Sequence, residues 1–238
     1  MNLFGLLPAS LKERIRRHLG VITLSHRLQN LRRAGFQPRR IIDAGAFEGE
    51  WTRSALAVFP EAEVLMIEPQ EQRQPALAAL AGQNRKLKFR RALIGATPGR
   101  VRFLVEGSNS RVIPPGWDPP AGSRIEEWQL ETLADIARAE GFTDCDFLKL
   151  DLQGQELNAL DGAGGMFGAC EVILAEVSWL PIGEVPLAHE VIARFVARGY
   201  RLYDVLGHNY RPLDGALWQT DFIFVRADSR LVANRNWA

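Results

Sequence analysis

Cysteine is scarce in this chain: Cys145 and Cys170 are the only two in 238 residues, they lack C-x-x-C spacing, and both sit in or beside apolar runs. That pattern excludes a thiolate zinc site and a disulfide-stapled scaffold, and it predicts buried free thiols in a reducing, cytoplasmic setting. Histidine is also sparse, and His18, His26 and His189 show no metal-ligand spacing. No nucleophile-elbow serine with a histidine and an acid is present, which removes the usual hydrolase reading. No apolar run approaches the roughly 20 residues that cross a bilayer. The leading Leu3-Phe4-Gly5-Leu6-Leu7 is too short for a secretory signal and has no basic region before it. With a net charge of +1, no global field steers the protein toward nucleic acid. A dinucleotide-binding G-x-G-x-x-G is missing too.

What is present is the composition of a soluble globule, 47% hydrophobic and 24% charged, at a length that suits one α/β domain with appendages. From residue 39 onward, apolar runs alternate with helical segments in a βαβα rhythm. Strands are predicted near 40 to 43, 63 to 67, 87 to 93, 145 to 150 and 171 to 177. Helices are predicted near 50 to 58, 71 to 81, 132 to 140, 154 to 161 and 186 to 198. Tyr200 to Val205 and Asp221 to Val225 read as two strands of a closing hairpin. Three units follow: a helical extension over 1–38, a catalytic domain over 39–227, and a tail over 228–238.

The extension opens with a capping-box pattern, Ser10 with Glu13, and carries Leu11, Ile15, Leu19 and Ile22 at helical spacing. A helix packed on the domain is the plain reading. The sharper one is a basic surface that touches anionic lipid or a second subunit, which keeps a homo-oligomer in view. Two segments break the rhythm. Residues 105–128 are rich in glycine, proline and serine and are expected to form an insertion or lid over an acceptor; 207–219 form a second loop.

The most informative stretch is Ile41-Ile42-Asp43-Ala44-Gly45-Ala46-Phe47-Glu48-Gly49. A short apolar run feeds a glycine-bearing turn that opens a helix, the arrangement in which a nucleotide-like ligand meets unpaired N–H groups. Glu48 would stand where a pyrophosphate needs positive potential. An acidic turn beginning at Asp43 instead suits S-adenosylmethionine, which has no phosphate and carries a sulfonium and an ammonium. About 25 residues beyond Asp43, the run Val64-Leu65-Met66-Ile67-Glu68 reads as a second strand ending in an acid. That is near the offset at which nucleotide folds place a ribose-binding carboxylate.

Three further stretches complete the set: Ile67-Glu68-Pro69, Phe147-Leu148-Lys149-Leu150-Asp151-Leu152-Gln153-Gly154-Gln155-Glu156, and the closing Gln219-Thr220-Asp221-Phe222-Ile223-Phe224-Val225. Together with the first turn, they resemble the FkbM family of S-adenosylmethionine-dependent methyltransferases, in consistent order over about residues 40 to 226. The resemblance implies a Rossmann-like, class I methyltransferase α/β fold: a mostly parallel sheet of seven strands with an antiparallel final strand and helices on both faces. It implies methyl transfer from S-adenosyl-L-methionine to a hydroxyl of a saccharide or secondary metabolite. Residue by residue, it carries the donor-binding turn to Asp43, Gly45 and Gly49, the ribose acid to Glu68, and the block after the fourth strand to Lys149, Asp151, Gly154 and Glu156. Ala46 and Phe47 of the turn join the donor-side candidates, and Lys149, Gln153, Glu156 and Glu176 are the acceptor-side candidates. Gln153 departs from the glutamate common in the family, which removes one carboxylate.

A hydroxyl acceptor needs somewhere for its proton to go, and the candidates are Asp151, His208 and Asp221. Asp151 and Glu176 would end adjacent strands and offer oxygen ligands to Mg²⁺, but two carboxylates alone are too few for a metal to be expected. The alternatives to a methyltransferase are a nicotinamide-dependent Rossmann enzyme and a non-catalytic module that retains the donor pocket.

Overall fold

The computed structural model of the protein describes residues 23–234, 236 and 237. The capping box and the apolar spacing read over 10–22 lie outside them. Chain order runs α1 (Leu24–Arg33), β1 (Arg40–Ala44), α2 (Glu50–Val58), β2 (Glu63–Ile67), α3 (Gln74–Gln83), β3 (Leu87–Arg90), β4 (Leu93–Gly95), β5 (Gly99–Leu104) and β6 (Arg111–Val112). It continues with β7 (Ile125–Thr132), α4 (Leu133–Glu140), β8 (Phe147–Leu150), α5 (Glu156–Asp161), α6 (Met166–Ala169), β9 (Val172–Ser178), α7 (Ala188–Ala197), β10 (Tyr200–Tyr210) and β11 (Leu217–Arg226).

Seven of the strands form one sheet in the order β10-β11-β9-β8-β1-β2-β3. β1 pairs in parallel with β2 and β8, β8 with β9, and β2 with β3, whereas β11 runs against both β9 and β10. This is the mostly parallel sheet with one reversed closing strand that the family resemblance implies. Successive residues of each buried strand serve opposite faces. Ile41, Val64, Met66, Phe147, Leu174 and Ile223 pack with Leu28 and Leu31 of α1, Ala55 and Val58 of α2 and Leu77 of α3. Ile42, Leu65, Leu148, Ile173, Phe222 and Phe224 pack with Ile136 of α4, Leu160 of α5, and Val191 and Phe195 of α7. Phe195 lies flat on Phe224 with ring centroids 3.8 Å apart. Helices therefore cover both faces, as expected.

Helix ends follow local chemistry. Thr132 caps α4 by accepting the Asp135 N–H, and Gly141, at φ 76°, terminates it in the left-handed conformation. Cys145 and Cys170 are buried and free. The described start of the tail returns to the body, where Leu231 and Val232 pack on the core and Arg230 donates to the Gly35 carbonyl at 2.6 Å. Among the described residues no helix is long and apolar enough to cross a membrane.

Three expectations need correction. The strand read over 87–93 is two strands, β3 and β4, split by Arg91-Ala92 and assigned to different sheets. The segment read as a loop over 105–128 contains β6 and the start of β7, and with β4 and β5 these form a second, four-stranded sheet in the order β4-β7-β5-β6. β5 and β7 pair antiparallel from Gly99↔Leu130 to Leu104↔Ile125, so the irregular part shrinks to their long connection. The loop read over 207–219 is mostly hairpin: β10 runs to Tyr210 and β11 begins at Leu217.

Candidate active site

The crevice opens where an open α/β sheet changes direction, at the carboxyl ends of β1, β2, β8 and β9. A cavity of about 400 Å³ occupies it, within the range of small-molecule sites. One wall is the turn after β1. Gly45 and Ala46 both donate backbone N–H to the Ile67 carbonyl, at 2.9 and 3.0 Å, which folds the turn over the end of β2. Gly45 has φ 79°, and a Cβ there would meet the Asp151 carbonyl oxygen at 1.9 Å. Gly49 has φ 76°, and its Cβ would meet Leu80 at 2.7 Å. Gly45 is required by the close approach of the Asp151 backbone, and Gly49 by its left-handed backbone angle, since the Leu80 methyl group can shift; the contact that demands glycine at Gly45 is with the chain and not with a ligand. Phe47 also takes a positive φ, 48°, with the Arg73 guanidinium 3.9 Å above its ring and Arg73 paired to Glu48.

Glu68, 3% exposed, stands at the end of β2. One carboxylate oxygen accepts the Phe47 N–H and the other the Gln70 N–H, each at 3.0 Å. Burial pushes its pKa up, against the pull of those backbone donors. Asp43 is fully buried beneath the turn, where it accepts the Thr52 hydroxyl at 2.6 Å and pairs with Lys149 at 3.1 Å. The Lys149 ammonium, also buried, donates to the Gly45 carbonyl at 2.6 Å and reaches Asp151 at 3.4 Å. Burial alone would lower its pKa, but Asp43 and Asp151 outweigh burial and raise it above the ordinary lysine value. Lys149 is therefore a fixed charge that ties β1 to β8.

Asp151, with its side chain 37% exposed, faces the cavity just past β8. Gln153 adopts φ 53°, and its amide nitrogen donates to Asp151 at 3.2 Å and to Glu176 at 3.0 Å. Gln219 of β11 donates to the same Glu176 oxygen at 3.1 Å. The nitrogen of Gln153 thus stands between the two acids weighed as oxygen ligands, and among the described residues no group of three or more histidine, cysteine or acidic side chains is placed to hold a metal ion. Burial, and then the charges of Asp151, Glu156 and Asp221, push Glu176 up to about 9, so it carries a proton near neutral pH. Burial and the charge of Asp151 push Asp221 to about 7.

Of the expected donor residues, Gly45, Ala46, Phe47 and Glu68 line the cavity, while Asp43 and Gly49 lie behind it. On the other side Lys149, Asp151, Gln153 and Glu176 line it and Glu156 does not. Glu156 is buried under the β8–α5 turn, accepting the Leu152 N–H at 2.8 Å and the Gly154 N–H at 3.3 Å; burial pushes it to about 7. Asp221 pairs in register with Glu176 but is outside the lining, beside Gly207. His208 is an exposed strand residue opposite Thr220, not a loop residue, and does not line the cavity. Residues that sequence reasoning missed include Gln70, whose amide donates to the Gly107 carbonyl at 3.0 Å, together with Trp51, Asn109, Asn209, Trp218 and Gln219. Gln219 stood in the quoted closing stretch, Asn109 in the segment expected to form a lid, and Asn209 and Trp218 in the second irregular segment, but none of them was singled out by its own chemistry.

The model of the Methyltransferase FkbM domain matches residues 43–202. No curated protein matches the chain. Among solved structures, the chain is similar to a methyltransferase FkbM from Methylobacillus flagellatus KT, with 16% identity and a TM-score of 0.49 over 77% of this chain. It spans 43% of the length of that protein. It is also similar to a 1,6-didemethyltoxoflavin-N1-methyltransferase from Burkholderia thailandensis, with 14% identity and a TM-score of 0.49 over 92% of this chain and 85% of that one. A third is magnesium protoporphyrin IX methyltransferase from Synechocystis PCC 6803, with 11% identity and a TM-score of 0.49 over 95% and 85%. On the family match, the chain belongs to the FkbM family of S-adenosylmethionine-dependent methyltransferases.

Proposed function

We propose that the protein transfers a methyl group from S-adenosylmethionine to a hydroxyl of a small molecule, a saccharide or secondary metabolite. One observation carries this: the Gly45–Phe47 turn, Glu68 and Asp151 line a single cavity. The residues suit the donor. Four carboxylates, Glu48, Glu50, Glu68 and Asp151, line the cavity with one lysine and the protonated Glu176, a balance that favours a ligand with two cationic centres. Glu68 keeps lone pairs for ribose hydroxyls beyond the two backbone donors it already satisfies.

The bound donor supplies an electrophilic methyl on sulfur. The protein's part is alignment of the acceptor oxygen with the methyl–sulfur bond, and exclusion of competing water. Asp151 accepts the hydroxyl proton as the new carbon–oxygen bond forms and the carbon–sulfur bond breaks. Its side chain is 37% exposed in the cavity and is held in place by Gln153 and Lys149. Calorimetric titration with S-adenosylhomocysteine, followed by turnover with labelled donor and a panel of hydroxylated acceptors, tests the reading. Absence of binding at millimolar ligand would end it.

A further inference from the structure

The acceptor end of the cavity has an unusual charge balance. Asp151, Gln153, Glu176, Asn209, Trp218 and Gln219 meet there, from the β8–α5 turn, β9, β10 and β11. Lys149 is the one cation lining the cavity among the described residues, and its ammonium is already shared by Asp43, Asp151 and the Gly45 carbonyl. The Gln153 amide nitrogen is spent on two acids, and Gln219 gives an N–H to Glu176. A phosphate or carboxylate brought here would meet the Asp151 carboxylate with no free cation to compensate it, and like-charge contact in a half-buried site is costly. Burial, and then the charges of Asp151, Glu156 and Asp221, already keep a proton on Glu176 at neutral pH.

We infer, resting on the methyltransferase reading above, that this end selects by charge: it takes a neutral, polyhydroxylated molecule and rejects its anionic counterparts. Hydroxyl hydrogens bond to the Gln153, Gln219 and Asp151 oxygens, and the Trp218 ring supplies an apolar wall for a carbon face.

The test uses the full chain saturated with S-adenosylhomocysteine and reads saturation-transfer NMR and competition for matched pairs: methyl glucoside against glucuronate, and inositol against inositol monophosphate. The neutral member of each pair should bind about tenfold better or more. In Asn209→Arg, which puts a cation on an exposed rim position of the same end, the ratio should fall by at least about threefold. Equal or tighter binding of the anions overturns the inference, as does a ratio unchanged by Asn209→Arg. Failure of every neutral compound to bind also overturns it. Donor-product binding, measured beforehand by calorimetry, separates these outcomes from a failure of the methyltransferase reading: if it binds and the neutral polyols do not, only the inference falls.

Discussion

The carboxylate of Glu68 accepts the backbone N–H of Phe47 at 3.0 Å, so the acid that ends the second strand braces the turn that follows the first. Donor binding and the shape of the turn therefore share one side chain. Glu68→Ala should weaken S-adenosylhomocysteine binding about tenfold or more, the loss of one or two hydrogen bonds at about 0.5–1.5 kcal/mol each with some loosening of the turn. Calorimetry reads the affinity; an unchanged value removes Glu68 from the donor site.

Of the two candidate proton acceptors Asp151 and His208, only Asp151 lines the cavity. Asp151→Asn should lower turnover about 10²–10⁴-fold, the usual contribution of a positioned general base, with donor affinity changed little. His208→Ala should leave turnover within about twofold, as for an exposed residue outside the site. Pre-steady-state methyl transfer distinguishes them; a slow His208→Ala and a normal Asp151→Asn would reverse the assignment.

Stability should depend on pH through the carboxyl cluster. Glu176, Glu156 and Asp221 are raised to about 9, 7 and 7 from ordinary values of 4.5, 4.5 and 3.8. The folded protein holds these protons to higher pH than the unfolded chain does. Their contribution is thus complete below about pH 4 and is lost as pH rises through 7 and then 9. Melting temperature should fall from pH 5 to 9, and Glu176→Gln should flatten the part between 7 and 9. Calorimetric scans across that range decide it: a melting temperature that rises over the window contradicts the cluster.

Gly45 and Gly116 have similar backbone angles, φ 79° and 82°, but different surroundings. Nothing lies within 4 Å of a Cβ built at Gly116. Gly116→Ala should cost only the left-handed penalty, about 1–2 kcal/mol, and leave donor binding intact. Gly45→Ala adds a clash with the Asp151 carbonyl, so it should cost more stability and abolish donor binding by prising the two turns apart. Denaturant melts and calorimetry on both variants separate angle from packing.

Much of this was legible beforehand because the relevant signals are local. The apolar runs of β1, β2, β8 and β9 are buried on both faces and read as short continuous stretches. Acids at their carboxyl ends then fall at the mouth of the crevice by topology. The second sheet was missed although Arg100-Val101-Arg102-Phe103 alternates, because its partner strand Ile125–Thr132 lies beyond a proline- and glycine-rich connection. Asn209 and Trp218 carry no motif, and only the pairing of β10 with β11 and of β11 with β9 brings them to Glu176.

By itself the sequence determined the strand–turn–helix grammar, the order of the elements and the residue types available at strand ends, since these follow from periodicity and backbone preference within a few residues. Which carboxylates share a cavity, which oxygen each amide satisfies, and that Gly45 answers to the Asp151 carbonyl were decided only by the tertiary structure. Those contacts join segments roughly a hundred residues apart, and hydrogen bonding, close packing and charge repulsion act through space with no trace along the chain.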